Sequence, residues 1–142
     1  MTPLLALETM AELLLIMAAV HDLRRFLISN KICLALAILF IPYALLAWPA
    51  TTSGWHILTG LAVLVGGVGL FAAGWIGGGD VKLLAAATLW LGPEHLSELL
   101  LLTASVGGIV ALATLAATRN PRAPIPYGVA ISAAALLCLM SS

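Results

Sequence analysis

Asp22 and Asp80 are the only two aspartates in a chain of 142 residues. Asp80 stands behind three glycines in the stretch GWIGGGDVKLL, Gly74 to Leu84, and Asp22 closes an apolar run just before Arg24 and Arg25. Two carboxyl groups that share a site cannot readily both ionise, so they hold one proton between them. The ionised member can take a proton from water while its protonated partner donates a hydrogen bond to a carbonyl oxygen, which is the chemistry of aspartic peptide hydrolysis. The residues alone also allow a structural role. Aspartate is a favoured helix N-cap, which suits Asp80 at the start of an apolar segment, and Asp22 beside two arginines could form an ordinary solvated ion pair.

The elements that must position these groups are membrane helices. The chain is 63% hydrophobic and 8% charged, with a mean hydropathy of +1.16, which is incompatible with the polar surface of a soluble domain of this size. A membrane helix needs about 20 apolar residues, and charge, Pro and Gly punctuate the chain into six spans near 4–21, 32–48, 56–76, 80–92, 96–118 and 126–141. The expected fold is all-α, a polytopic membrane bundle of six transmembrane helices forming a single domain over residues 1–142. Its connections are short, and the lipid bilayer is its implied surroundings.

Charge distribution orients the bundle. Six basic residues balance six acidic ones, so no basic face points to nucleic acid. Arg24, Arg25, Lys31, Lys82, Arg119 and Arg122 all fall at the same ends of the alternating spans, the cytoplasmic side by the positive-inside rule. Asp22 and Asp80 fall in that layer too. Span 4, from Asp80 to Gly92, is about 20 Å long against a hydrocarbon thickness of about 30 Å, so Asp80 is expected below the membrane surface. Gly77, Gly78 and Gly79 would then be non-helical backbone lining a polar recess and admitting another chain closely.

The remaining polar residues have plainer readings. Glu8 and Glu12 share a face of span 1, and an ionisable group inside a membrane is a functional candidate. The plainer reading of Glu12 is a protonated glutamate hydrogen-bonded inside the bundle, or a span whose outer end is locally wet. His21, beside Asp22, could tune its proton affinity or simply sit at the interface. His56 and His95 fall in outer loops, and no metal site is expected from them. Cys33 and Cys138 lie far apart in apolar runs, which supports neither a CxxC metal site nor a disulfide framework. Gly60, Gly66, Gly67, Gly69 and Gly74, with Gly107 and Gly108, suit close helix packing, and Trp48, Trp55, Trp75 and Trp90 suit an aromatic belt.

The stretch GGGDVKLL resembles the G-x-G-D-x-K-L motif of type IV prepilin peptidases, GxGD-type intramembrane aspartic proteases. DLRRFLISN, Asp22 to Asn30, is similar to the family's first-aspartate motif, an Asp followed by a basic stretch and Ile-Pro-Asn, and IPYGVAI, Ile125 to Ile131, looks like the opening of its last span. The resemblance implies Asp22 and Asp80 as the catalytic pair, with Gly77, Gly78 and Gly79 as motif and cleft backbone. It places Asn30, Lys82, Pro126, Tyr127 and Gly128 as candidate supporting or cleft residues. It implies cleavage of a prepilin or pseudopilin leader after a glycine, at the cytoplasmic face of a bacterial inner membrane, with no cofactor, alongside a pilus secretion machinery. Ser29 stands where the family has Pro, a change expected to soften the turn. The loop between spans 1 and 2 is about ten residues, where larger members carry a CxxC-containing insertion and also N-methylate the product. The chain is therefore similar to the minimal peptidases of tight-adherence, or Flp, pili, without methyltransferase. Two other classes fit the same charges. One is a proton-coupled transporter or channel subunit using Glu12, Asp22 and Asp80 as relay groups, although no internal repeat of the kind such proteins often carry is visible. The other is a non-catalytic assembly component that retains the fold.

Overall fold

The computed structural model describes residues 2–142. It is a helical bundle of α1 (Pro3–Arg25), α2 (Asn30–Ala47), α3 (Ala50–Ala72), α4 (Gly78–Leu91), α5 (Leu96–Thr118) and α6 (Tyr127–Ser141). Helices α1, α2, α3 and α5 are each long and apolar enough to cross a membrane, while α4 and α6 are shorter, 14 and 15 residues. The expected polytopic helical membrane bundle is thus present, and four of its six helices meet a span criterion by length.

Helix starts and stops follow local chemistry. Thr2 caps α1, its Oγ accepting from the Leu5 N–H at 3.3 Å, and Pro3 supplies a helical φ where no N–H is needed. Helix α1 then runs on through Asp22 to Arg25, beyond the expected end at 21, and stops at Phe26 in the left-handed region (φ 52°). Ser29 caps α2, its Oγ accepting from the Lys31 N–H, at φ −67°. That is proline's own φ, so the serine keeps the turn and adds a cap where a softened turn was expected. Helix α3 begins at Ala50, not 56, directly after Pro49, and His56 is accordingly a buried helical residue rather than a loop residue.

Four helices, α1, α2, α4 and α6, pack as a ring in which each touches the next and α1 lies diagonally across from α4. Helix α3 lies outside against α4, and α5 outside against α6. The core fills the ring: Leu15 and Ala18 from α1, Leu36 and Phe40 from α2, Leu83 and Trp90 from α4, Ile131 and Ala135 from α6. The Trp90 indole donates to the Leu36 carbonyl at 3.0 Å, tying α4 to α2, so this tryptophan is a core residue and not part of a belt. Small residues set the outer contacts. A Cβ on Gly67 would stand 2.6 Å from Val81, one on Gly60 2.7 Å from Leu89, and one on Gly107 3.2 Å from Tyr127. Gly66, Gly69, Gly74 and Gly108, expected to pack in the same way, have open space in front of them.

Candidate active site

The buried stripe of α1 is Ala11, Leu15, Ala18 and Asp22. Asp22 continues the face that points into the ring, one helical repeat beyond the apolar core, and only 4% of it is exposed. A carboxyl group buried there needs a donor, and the first turn of α6 supplies one: the Gly128 N–H donates to Asp22 Oδ2 at 2.7 Å. The bond exists because Gly128 has no side chain. A Cβ there would stand 2.8 Å from that same oxygen and 2.9 Å from Ile28 Cδ1. Pro126 precedes as the N-cap residue of α6, so the Gly128 N–H lies at a helix start, where a carboxylate is favoured.

Asp80 arrives from the diagonal helix. The expectation that Gly77, Gly78 and Gly79 are all non-helical is corrected: Gly77 is the N-cap, while Gly78 and Gly79 form the first turn of α4 with Asp80. With Asp80 inside that turn, the N-cap role open to it by sequence falls to Gly77. Its carboxyl turns back toward that cap, where a Cβ on Gly77 would stand 3.2 Å from Asp80 Oδ2. Asp80 is partly exposed, in contrast to Asp22, and the two segments meet the same residue, Ile28, at one mouth of the ring.

Ile28, in the four-residue connection between α1 and α2, is the piece that joins the two halves. Its side chain reaches Gly128, and a Cβ on Gly79 would stand 3.2 Å from Ile28 Cβ. The absence of side chains at Gly79 and Gly128 therefore lets one isoleucine wedge between the Asp22 and Asp80 segments. The connection is held by His21, whose Nδ1 lies 2.6 Å from the Leu27 carbonyl oxygen. Neither part for Ile28 nor for His21 emerged from the sequence reasoning, although both residues stand in or beside the quoted first-aspartate stretch.

The other expected residues distribute around this mouth. Lys82 Nζ donates to Asn30 Oδ1 at 3.0 Å, bridging α4 to α2. Positions two apart point to different faces of a helix, so this bridge runs beside the carboxyl pair and not through it. Tyr127 is 42% exposed and its ring leans on Gly107 of α5, away from the aspartates. Glu8 and Glu12 are at the far end of α1, where the Tyr43 hydroxyl donates to Glu8 Oε1 at 2.7 Å. Between Glu12 and Asp22 the ring-facing side of α1 carries Leu15 and Ala18.

Fold and site together define a membrane-embedded helical bundle with a pair of carboxyl groups at one mouth. The chain matches the type IV leader peptidase family over residues 10–112, a stretch that includes both aspartates, and it belongs to that family. It is similar to the prepilin leader peptidase/N-methyltransferase of Bacillus subtilis (strain 168), with 30% identity over 133 residues, covering 89% of this chain and 52% of that protein. The chain thus spans about half the length of that relative. No solved structure matches it significantly.

Proposed function

We propose that this protein is an aspartic endopeptidase that removes the leader of prepilin or pseudopilin precursors, with Asp22 and Asp80 as its catalytic pair. The observation that carries this reading is the convergence of the chain's two aspartates, from diagonal helices, on one mouth of a bundle of this family. One proton is shared between the carboxyl groups. The ionised member takes a proton from a water that adds to the scissile carbonyl carbon, and the protonated partner donates to the carbonyl oxygen. Collapse of the tetrahedral species breaks the C–N bond, and the proton taken from water leaves on the new amine. The Gly128 N–H orients Asp22 through this cycle without itself transferring a proton, a preorganised contact of the kind that lowers the cost of reaction.

Gly77 leaves exposed backbone beside Asp80, which suits a substrate segment lying extended, since a helical one would keep its scissile carbonyl hydrogen-bonded. Asn30 and Lys82 brace α2 against α4, and Pro126 and Gly128 hold the α6 start over Asp22. The six basic residues share the aspartate end, which supports cleavage at the cytoplasmic face of the inner membrane, after a glycine of the leader. The connection from Phe26 to Ser29 holds no inserted cysteine-bearing segment, and Cys33 and Cys138 are both buried. This supports a peptidase without methyltransferase, of the tight-adherence pilus type. The proton-relay reading is disfavoured by the apolar Leu15 and Ala18 layers between Glu12 and Asp22.

Coexpression with a prepilin and a gel-shift assay of its leader tests the proposal. Asp22→Ala and Asp80→Ala should each reduce processing about a thousandfold or more, and Glu12→Ala should process normally. Continued cleavage by either aspartate variant would refute the pair, and loss in Glu12→Ala alone would favour a relay.

A further inference from the structure

All four glutamates lie at the end of the bundle opposite the aspartates, and no Lys or Arg lies there. Glu8, Glu12 and Glu94 line a cavity of about 430 Å³ at the other mouth of the same ring. One wall is aromatic. Tyr43 packs on Trp48 at 5.1 Å and on Trp90 at 4.9 Å between ring centroids.

The most informative group there is His56, which is 4% exposed and packs on Trp48 at 4.2 Å. Its Nδ1 is 2.8 Å from the Leu89 carbonyl oxygen. A carbonyl only accepts, so Nδ1 carries a proton, and a ring with its single proton there presents Nε2 as an acceptor. Among the described residues Nε2 has no recorded hydrogen-bond partner, and His56 is one of the residues that line the cavity. A Cβ on Gly92 would stand 2.5 Å from His56 Nε2 and 2.9 Å from Glu94 Oε2, so both atoms converge on the space above one glycine. His95 repeats the arrangement, with Nδ1 3.2 Å from the Leu91 carbonyl oxygen. The Tyr43 hydroxyl is already donated to Glu8 and the Trp90 N–H to Leu36. The carboxylates and rings of this cavity offer acceptors and π faces beside the Thr52 hydroxyl and the Trp48 N–H, and a ligand that brings donors and positive charge matches the acidic side of it.

We propose that this cavity binds a primary ammonium group, seated between Glu94, Glu12 and His56 Nε2 and against Trp48. An ammonium brings three N–H donors, and its charge is attracted both to the carboxylates and to the indole face. A divalent metal fits less well, because among the described residues no three His, Cys, Asp or Glu groups converge as a metal site. Two sources present this chemistry at a membrane surface, the head group of phosphatidylethanolamine and a soluble alkylamine.

The test uses the full chain purified in detergent, with lipid retention read by native mass spectrometry. Phosphatidylethanolamine should be retained about tenfold over phosphatidylcholine of the same chains, which has the charge without the donors, and Glu94→Gln should remove about that factor, as expected for one charge-assisted hydrogen bond. Trp48→Leu, which leaves the carboxylates in place, should weaken retention as well and keeps the test open if Glu94→Gln unfolds. Soluble ethanolamine is titrated in parallel by tryptophan fluorescence. Binding of ethanolamine that displaces the lipid bears out the ammonium site with a soluble source, while lipid preference without ethanolamine binding assigns the head group. Equal retention of the two lipids together with no ethanolamine response, or a preference untouched by both substitutions, overturns the proposal.

Discussion

The Gly128 N–H holds the buried Asp22 carboxyl at 2.7 Å, so the residue that donates it is as exacting as the carboxylate. Gly128→Ala would place a methyl 2.8 Å from Asp22 Oδ2 and against Ile28. Overpacking of this kind costs about 1–3 kcal/mol, and a displaced catalytic group costs about a hundredfold in rate. Gly128→Ala is therefore expected to fold with reduced stability and to lose most leader cleavage, with kcat falling more than KM rises. A variant that cleaves at the wild-type rate would show that the Gly128 contact does not position the reacting carboxylate. Lys82→Met provides the contrast. It removes the 3.0 Å bond to Asn30 but leaves the aspartates in place, so cleavage should fall less than about tenfold, the range of one exposed hydrogen bond.

Among the helices, the α3–α4 contact shows how little of packing is visible in composition. Gly66 and Gly67 are neighbours in α3, yet a Cβ on Gly67 would meet both methyls of buried Val81 while one on Gly66 would meet nothing. Gly67→Ala should destabilise the bundle by about 1–3 kcal/mol, and Gly66→Ala should stabilise it by about 0.5–1 kcal/mol through helix propensity. Unfolding in mixed detergent micelles measures both, and equal effects would mean that α3 does not dock on α4 in this register. Helix α4 itself is short because Gly77 caps it and Gly92 ends it at φ 72°. That shortness was legible in the sequence. The helical state of Gly78 and Gly79 was not, since glycine's intrinsic preference opposes a helix, and in the structure the turn is closed by the Val81 N–H to the Gly77 carbonyl and faces Phe71 and Ile28.

For the molecule as a whole, the separation of six basic residues from four glutamates predicts a fixed orientation. In a chain with Cys33 and Cys138 replaced by Ala, a cysteine at Ser97 should react with a membrane-impermeant maleimide from outside intact cells, and one at Arg122 only after permeabilisation. Labelling of both from the same side would require an even number of crossings between them and would dismantle the shared layer of Asp22 and Asp80. The ring of α1, α2, α4 and α6 then has two mouths with opposite chemistry, a carboxyl pair at the basic end and an acceptor-lined cavity at the other, separated by an apolar core.

What the amino-acid sequence determined by itself was whatever follows from hydropathy, punctuation and charge. Apolar runs of membrane length demanded helices, the Lys and Arg distribution pointed to one orientation, and two isolated aspartates marked a candidate site. Only the tertiary structure decided which groups meet. Asp22 finds the Gly128 N–H across the bundle, Ile28 wedges against two glycines from different helices, and His56 turns from a loop residue into a buried helical one. Such contacts depend on which helices are neighbours and on where side chains are absent, and neither is encoded in the periodicity of any one segment.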